Sequence, residues 1–529
     1  MRFCNVFLIS ILFIGCQCKA PGSGKKDSSK QKISINIELE PQTLDPRRAR
    51  TLVDINLVQT FMDGLMRVGK NGTTTLAVAE KYSISEDMKT YVFNLRDTKW
   101  SNGDPVKAQD FVYAWKKAIS QDFLSDYAFL LYVLKNGKAI KQGLLPSSML
   151  GISAKDDYTL VVNLEYPAPY FLELLTLPIF FPVNQIVDQE TPTWYRQANT
   201  FIGNGPFKMF DWRHNDSIIA VKSETYWDES AVNLKTIQMV MVNAETGLKM
   251  FQSKELDWTG SPYSSIPTDA IPSLKNQNLI KTDPFLGTYW IRTNTSAGPL
   301  RNENLRKALA LAINRNEIVT HVTNSYEPAT GIVPTSMGLQ NIPYFTDGNE
   351  DEARDFLQQA IEKDNITLED FPELTLTYSS DTKNHRIAQA VQDQWKKALG
   401  ITVRLEAVEG NTCLDRVSKG NYELAVGSWI ADFRDPINFL EVFKNKLAST
   451  NNTSWESLNY QKALEETYLA KNDKDRMDGL KKSEMIIMDE MPVIPIFHYT
   501  MLHVTNNHLK DVVLTEAGHI DFKWAYVEK

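Results

Sequence analysis

The sequence predicts an α/β protein of about three domains. Three stretches in which apolar and polar residues alternate, 33–39, 91–96 and 422–426, are each followed by a stretch read as a helix, 54–66, one opening at 108 and one beginning at 438: strand, then helix. The 529 residues allow about three domains at ~150 residues each. A hydrophobic content of 43% against 23% charged is that of a globular chain with a large core. Lys and Arg number 57 against 65 Asp and Glu, so no basic surface for nucleic acid is expected.

The first residues read as targeting. Arg2 gives a short positive start, and residues 6–14 (VFLISILFI) form an apolar run broken only by Ser10, too short to span a bilayer and suited to a signal peptide. Phe13-Ile14-Gly15-Cys16 resembles a bacterial lipobox, in which the signal (1–15) is removed and the Cys16 thiol acylated; Phe13 stands where the pattern prefers Leu. Residues 20–31 (APGSGKKDSSKQ) have the composition of a flexible tether, so 16–32 is expected to be a lipidated leash. Cys4 leaves with the signal, Cys18 lies in the tether, and Cys413 is alone in the body, where a small buried hydrophobe is expected.

In the body, Ile33, Ile35, Ile37 and Leu39 alternate with polar residues and predict a strand over 33–39, ended by Pro41 and the Leu44-Asp45-Pro46 turn. Leu57, Phe61 and Leu65 predict a helix over 54–66 with Asp54 near its start. Residues 91–96 alternate as a strand, Asn102-Gly103 favours a turn with positive φ, and Phe111, Trp115 and Ile119 share one face of a helix opening at Ala108. Farther on, Tyr422, Leu424 and Val426 alternate with Glu423 and Ala425, predicting a strand with one buried face. Trp429 and Asp432 stand at its end, before Pro436 stops it and Asn438, Phe439 and Leu440 begin a helix. An acid among apolar neighbours loses hydration, which hydrogen bonds or a cation must offset. From these residues alone, Asp432 is either a helix-capping acid or a ligand-binding one.

The stretch YVFNLR…KWSNGDPVKAQDFVYAWKKA (91–118) is similar to the signature region of the solute-binding proteins of peptide-type ABC importers, the family of oligopeptide- and dipeptide-binding proteins. Further resemblances follow in the family's order: Pro169-Tyr170-Phe171-Leu172, Gly203-Asn204-Gly205-Pro206-Phe207, Ser253-Lys254-Glu255-Leu256-Asp257, the helix 305–315 with Leu305, Leu309 and Ile313 on its buried face, Gly331-Ile332-Val333-Pro334, and Met491-Pro492-Val493-Ile494-Pro495-Ile496-Phe497. The resemblance implies a periplasmic-binding-protein-like fold: two main α/β lobes joined by a two-strand hinge, plus an additional lobe. Lobe I takes 33–62, 185–286 and 500–529, lobe II 63–184 and lobe III 287–499, with the ligand enclosed in the cleft. It also implies a monomer anchored to the bacterial cell envelope through lipid at Cys16, on the periplasmic or outer-surface face. Such a protein captures short peptides and hands them to ABC permease subunits, using no cofactor and no metal. A nickel, haem or sugar ligand is the alternative within the family; an exported hydrolase or adhesin is the alternative outside it. G-x-S-x-G, G-x-x-x-x-G-K-[ST] and H-E-x-x-H are absent, and His498, His503 and His508 are spaced by five, not by the three or four that align ligands on a helical turn.

Trp429-Ile430-Ala431-Asp432-Phe433 is similar to the W-x-A-D-Y pattern of oligopeptide-binding relatives, with Phe433 for Tyr. The resemblance implies that Asp432 binds the peptide's α-ammonium and that the strand through Ser428, Trp429 and Ile430 pairs with the peptide backbone. Asp435-Pro436-Ile437-Asn438-Phe439 is similar to the D-P-x-N-F of dipeptide-binding relatives and makes Asp435 a second candidate. Tyr127 and Trp290 stand where relatives place cleft aromatics; each is either a ligand contact or core. Arg50 stands where relatives carry a cleft Glu and Val426 where some carry an Arg for the peptide carboxylate, while Gly287 and Ile430 replace a cysteine pair of enteric relatives. For that carboxylate, Asn384-His385-Arg386-Ile387-Ala388 resembles the region that supplies an Arg or a His. It makes Arg386, with its fixed fork of donors, the first choice and His385 the second, against a solvated basic helix end.

Overall fold

The computed structural model describes residues 31–528 apart from 340, 341, 368–370, 447, 449 and 471. The expected signal, Cys4, the lipidation site Cys16, Cys18 and the tether up to residue 30 lie outside the described residues.

Strand β1 (Lys32–Asn36) opens the fold and helix α1 (Leu52–Phe61) follows. The strand stops short of the expected 39: Ile37 still donates to the Val240 carbonyl, but Glu38 takes a φ of 58° with its N–H on the Asn36 side chain, which turns Leu39 out to 67% exposure. The helix is shifted too. Thr51 caps it and Asp54 completes a capping box from the third position, and the chain turns extended at Met62. Gly64 then passes so close to Phe181 that a Cβ would lie 2.6 Å from the ring, and Leu65 is buried in this extended segment rather than on a helix face.

Next come β2 (Ala79–Ile84), β3 (Thr90–Leu95), β4 (Ile152–Asp156) and β5 (Thr159–Asn163), a separate antiparallel sheet in the order β2-β3-β5-β4. Gly103 has a φ of 94° in the predicted turn, and α2 (Ala108–Ile119) buries Phe111, Trp115 and Ile119 as their spacing predicts.

Nine further strands, β6 (Phe207–Arg213), β7 (Ser217–Lys222), β8 (Thr236–Val240), β9 (Trp258–Gly260), β10 (Ile280–Thr293), β11 (Leu374–Ser379), β12 (Val403–Val408), β13 (Leu424–Ile430) and β14 (Val493–Thr505), join β1 in one large sheet. Its order is β12-β11-β13-β10-β14-β9-β1-β8-β7-β6, with a two-residue strand, Glu327–Pro328, on β14. β10 and β14 run through both halves. The start of β10 pairs with the end of β14; from Thr288 on, β10 pairs with both the start of β14 and β13. Between Pro284 and Thr288 the ladder slips, a bulge that lets paired strands bend.

Helices α3 (Glu303–Leu311), α4 (Thr382–Leu399), α5 (Gly410–Ser418) and α6 (Asp473–Glu490) pack around the β13 half. Leu305, Leu309 and Ile313 are buried as expected, and so is Cys413 on α5, at 7% exposure. The strand expected over 422–426 begins at Leu424 and runs on to Ile430. Leu424 and Ala425 are both fully buried, so the strand is packed on two faces at its start, and alternation is a poor guide to its length. Among the described residues, no helix is long and apolar enough to cross a membrane.

Candidate functional site

β13 is flanked unequally. On one side it pairs antiparallel with β10 over its whole length, from Leu424 opposite Thr293 to Ile430 opposite Gly287. On the other it pairs in parallel with β11 only at Leu424 and Ala425. From Val426 to Ile430 that edge has no strand partner among the described residues. The Ala431 N–H donates to the Leu286 carbonyl in the β10 ladder, so by antiparallel alternation Gly427 and Trp429 bond towards β10, and the backbone groups of Val426, Ser428 and Ile430 point to the open edge. The opening lies where the parallel strands β11 and β13 diverge at their C-terminal ends, the usual place for a ligand in an α/β sheet. Gly287 and Ile430 face one another directly, so the departure from a cysteine pair falls on two cross-strand neighbours.

Just past the strand, Asp432 is half-buried. Its carboxylate accepts hydrogen bonds from the Tyr127 hydroxyl and the Asn438 amide, and Asn438 Oδ1 accepts in turn from Trp429 Nε1 at 2.8 Å. Among the described residues no Lys, Arg or His forms an ion pair with it. Burial outweighs the two hydrogen bonds and pushes the carboxyl up to about 6. Burial, together with the Asp432 charge, also pushes the Tyr127 hydroxyl up, keeping it a donor. Asp432 borders a cavity of ≈ 220 Å³ shared with Phe433, Glu173 and Thr176. Trp429 and Phe433 border a second, of ≈ 200 Å³, where Tyr170 stacks on Phe433 with centroids 4.9 Å apart. The chain carrying the four-stranded sheet thus reaches the site through Tyr127 and Tyr170.

The other candidates separate. Asp435 is gripped by Arg476 of α6 through two hydrogen bonds of 2.8 Å and accepts from the Ile437 N–H at 2.9 Å, so it is committed inside the protein. Trp290 is 1% exposed against Phe443 and is core. His385 and Arg386 are exposed on the first turn of α4. His385 Nδ1 meets the Tyr378 hydroxyl at 2.7 Å; Arg386 has no hydrogen bond or ion pair among the described residues, and nothing links it to β13. From the same turn Lys383, also exposed, holds its Nζ 5.6 Å from the centre of the Tyr499 ring, and Tyr499 is hydrogen-bonded to Ser428. Arg50 pairs with Asp126 at 2.6 Å, next to Tyr127. His498 bonds Thr288, His503 stacks on Trp258 and His508 bonds Asp257, so each meets a different partner.

Sequence reading gave no contact to Asn438, seen there as a helix start and as part of the D-P-x-N-F match, and did not single out Arg292. Arg292 lies on β10 opposite Ala425, and its Nη1 donates to the Val426 carbonyl at 3.1 Å, at the open edge. No pattern within one segment marks it; the cross-strand register does.

Two sheet halves sharing two long strands, with an unfinished strand edge where parallel strands diverge, define a cleft-binding protein of the periplasmic-binding-protein-like class. The chain belongs to the bacterial extracellular solute-binding proteins, family 5: the model described as "Bacterial extracellular solute-binding proteins, family 5 Middle" matches residues 73–451. It is 40% identical to the oligopeptide-binding protein OppA of Bacillus subtilis (strain 168), over 96% of this chain and 94% of that one. It is 35% identical to the dipeptide-binding protein DppE of the same organism, over 98% and 97%. Among solved structures it is similar to Haemophilus influenzae OppA in complex with RPPGFSPFR, with a TM-score of 0.78 and 27% identity over 96% of this chain and 100% of that one.

Proposed function

We propose that this protein captures short peptides at the open edge of β13 and delivers them to the permease of an ABC importer. One observation carries the reading: a half-buried carboxylate, Asp432, held among the described residues by neutral donors only, at the end of a strand whose outward backbone groups have no strand partner among them. A peptide supplies both complements, an α-ammonium for the acid and main-chain groups for the strand, whatever its side chains. Relatives named for oligopeptides and dipeptides, and one solved with RPPGFSPFR, support the same ligand class. In this reading Asp432 takes the ammonium, Tyr127 and Asn438 hold Asp432, Ser428 and Ile430 offer backbone groups, and Trp429 walls the site.

The protein is a carrier and not an enzyme. Residues 33–62 with 185–286 and 500–529, 63–184, and 287–499 act as three lobes, and β10 and β14 act as the hinge on which a monomer closes over its ligand. Lipid at Cys16 holds it to the bacterial envelope beside the permease, and ATP hydrolysis belongs to partner subunits of the importer. Calorimetry with tetra-alanine and its N-acetylated form tests the ligand role. Asp432→Ala is expected to weaken tetra-alanine binding by about 10²-fold or more, from the ~3–5 kcal/mol lost when one partner of an enclosed ion pair is removed. Acetylation is expected to cost the wild type a similar factor. Equal wild-type affinity for the free and acetylated peptides, or steady hydrolysis of the bound peptide, overturns the proposal.

A further inference from the structure

The open edge of β13 has an acid beyond one end and a cation at the other. Arg292 leaves β10 on the same sheet face as Trp290, Gly427 and Trp429. Its guanidinium crosses the β13 backbone at Gly427 and reaches the Val426 carbonyl, an oxygen directed to the open edge. Glycine permits the crossing: a Cβ at 427 would lie 1.5 Å from Nη1 and 2.1 Å from Cζ. Beyond the Val426 carbonyl, the guanidinium has no hydrogen-bond acceptor and no carboxylate among the described residues. The titratable groups beside it, Tyr422 and Cys413, are neutral.

Arg292 is half-buried, and three buried guanidiniums are treated differently. Arg47 is bonded by Asp45 and Asp188, Arg67 by Asp63 and Asp521, and Arg315 by Asp347 and three carbonyls. A guanidinium cannot shed its charge, and Arg292, only half-buried, keeps donors that no group among the described residues completes and that a ligand carboxylate can accept from. Gly427 and Asp432 are five positions apart, at most roughly 16 Å at ~3.3 Å per residue, the span of about four or five extended residues. A short peptide whose amine sits at Asp432 therefore brings its later groups to Arg292.

We propose that Arg292 determines the charge selectivity of the cleft: it pairs with a carboxylate of the bound peptide, either an Asp or Glu side chain or the C-terminus. The proposal rests on the peptide-binding reading above, and the test separates the two. The full chain is titrated calorimetrically with tetra-alanine, with its C-terminal amide, and with amidated tetrapeptides in which Glu or Gln replaces one Ala at the second, third or fourth position. Acid against amide reads the C-terminus; Glu against Gln in the amide series reads the side chain.

A preference of about tenfold to hundredfold for the carboxylate is expected in one arm, the size of a hydrogen bond to a charged group. Arg292→Gln is expected to erase the preference, and measurable binding of the neutral amide reports that the variant folds. Gly427→Ala keeps the charge but displaces it, and is expected to reduce the same preference. A wild type that binds every peptide alike overturns the role of Arg292 and leaves the peptide reading standing, as does a preference that survives both substitutions. A wild type that binds none of the peptides overturns both.

Discussion

Asp432 and Asp435 stand within one turn of chain at the end of the same strand, yet the fold treats them oppositely. Asp435 receives a two-pronged grip from Arg476, which ties the turn to α6. Among the described residues Asp432 receives only neutral donors, and burial pushes its carboxyl up to about 6. An acid that the fold neutralises belongs to the scaffold. An acid left charged and poorly hydrated is a standing cost, and a cationic ligand removes it.

Exchanging each carboxylate for its amide tests that contrast most strongly. Asp432→Asn is expected to lose about 3–5 kcal/mol of peptide affinity, whereas Asp435→Asn keeps wild-type affinity. Stability moves the other way: Asp435→Asn leaves Arg476 unpaired and is expected to lose about 2–4 kcal/mol in urea unfolding, while ligand-free Asp432→Asn gains roughly 1–3 kcal/mol at pH 8. A variant pair that changes in the same direction in both measurements breaks the comparison.

A smaller effect follows from the pH dependence of the same carboxyl. Its folded value lies above its unfolded value of 3.8, so the folded state holds the proton more tightly. Its contribution to ligand-free stability is therefore full below about 4 and is lost as pH rises through about 6. Binding has the opposite sense, since an ammonium needs the ionised form. Affinity for tetra-alanine is expected to be flat between about pH 6.5 and 7.5 and to fall by up to about tenfold per unit below 6. Calorimetry at pH 5, 6 and 7 checks this, and Asp435→Asn should leave the profile unchanged.

The contrast also marks where sequence is readable. Phe111, Trp115 and Ile119 announce their helix because one face is buried and the other wet, the condition under which periodicity speaks. Periodicity fails at β13, where both faces are covered at Leu424 and Ala425, and at α1, where tertiary packing around Gly64 ends a helix that Leu65 suggests should continue. Within the site, Trp429 and Asp432 fall inside one short motif and could be named. What distinguishes Asp432 from Asp435 is the position of Arg476, more than 40 residues away, and what singles out Arg292 is its crossing over Gly427 on the neighbouring strand. Partners that meet only through the fold leave no local trace.

The finest distinction between the acids is the Tyr127 hydroxyl, which Asp432 has and Asp435 lacks. It arrives from the chain of the four-stranded sheet, beside Asp126, which pairs with Arg50 at the exposed surface, and it favours the ionised carboxylate that burial opposes. Tyr127→Phe removes that donor and little volume. Asp432 should then titrate above its present value of about 6, so peptide affinity at pH 7 is expected to fall by about 0.5–1.5 kcal/mol and the decline with pH to begin higher. An affinity loss with an unmoved pH profile would mean that Tyr127 touches the peptide directly and does not act through Asp432. A shift of the profile confined to Tyr127→Phe, and absent from Arg50→Gln, would place the effect in the hydroxyl and not in the positioning of its segment.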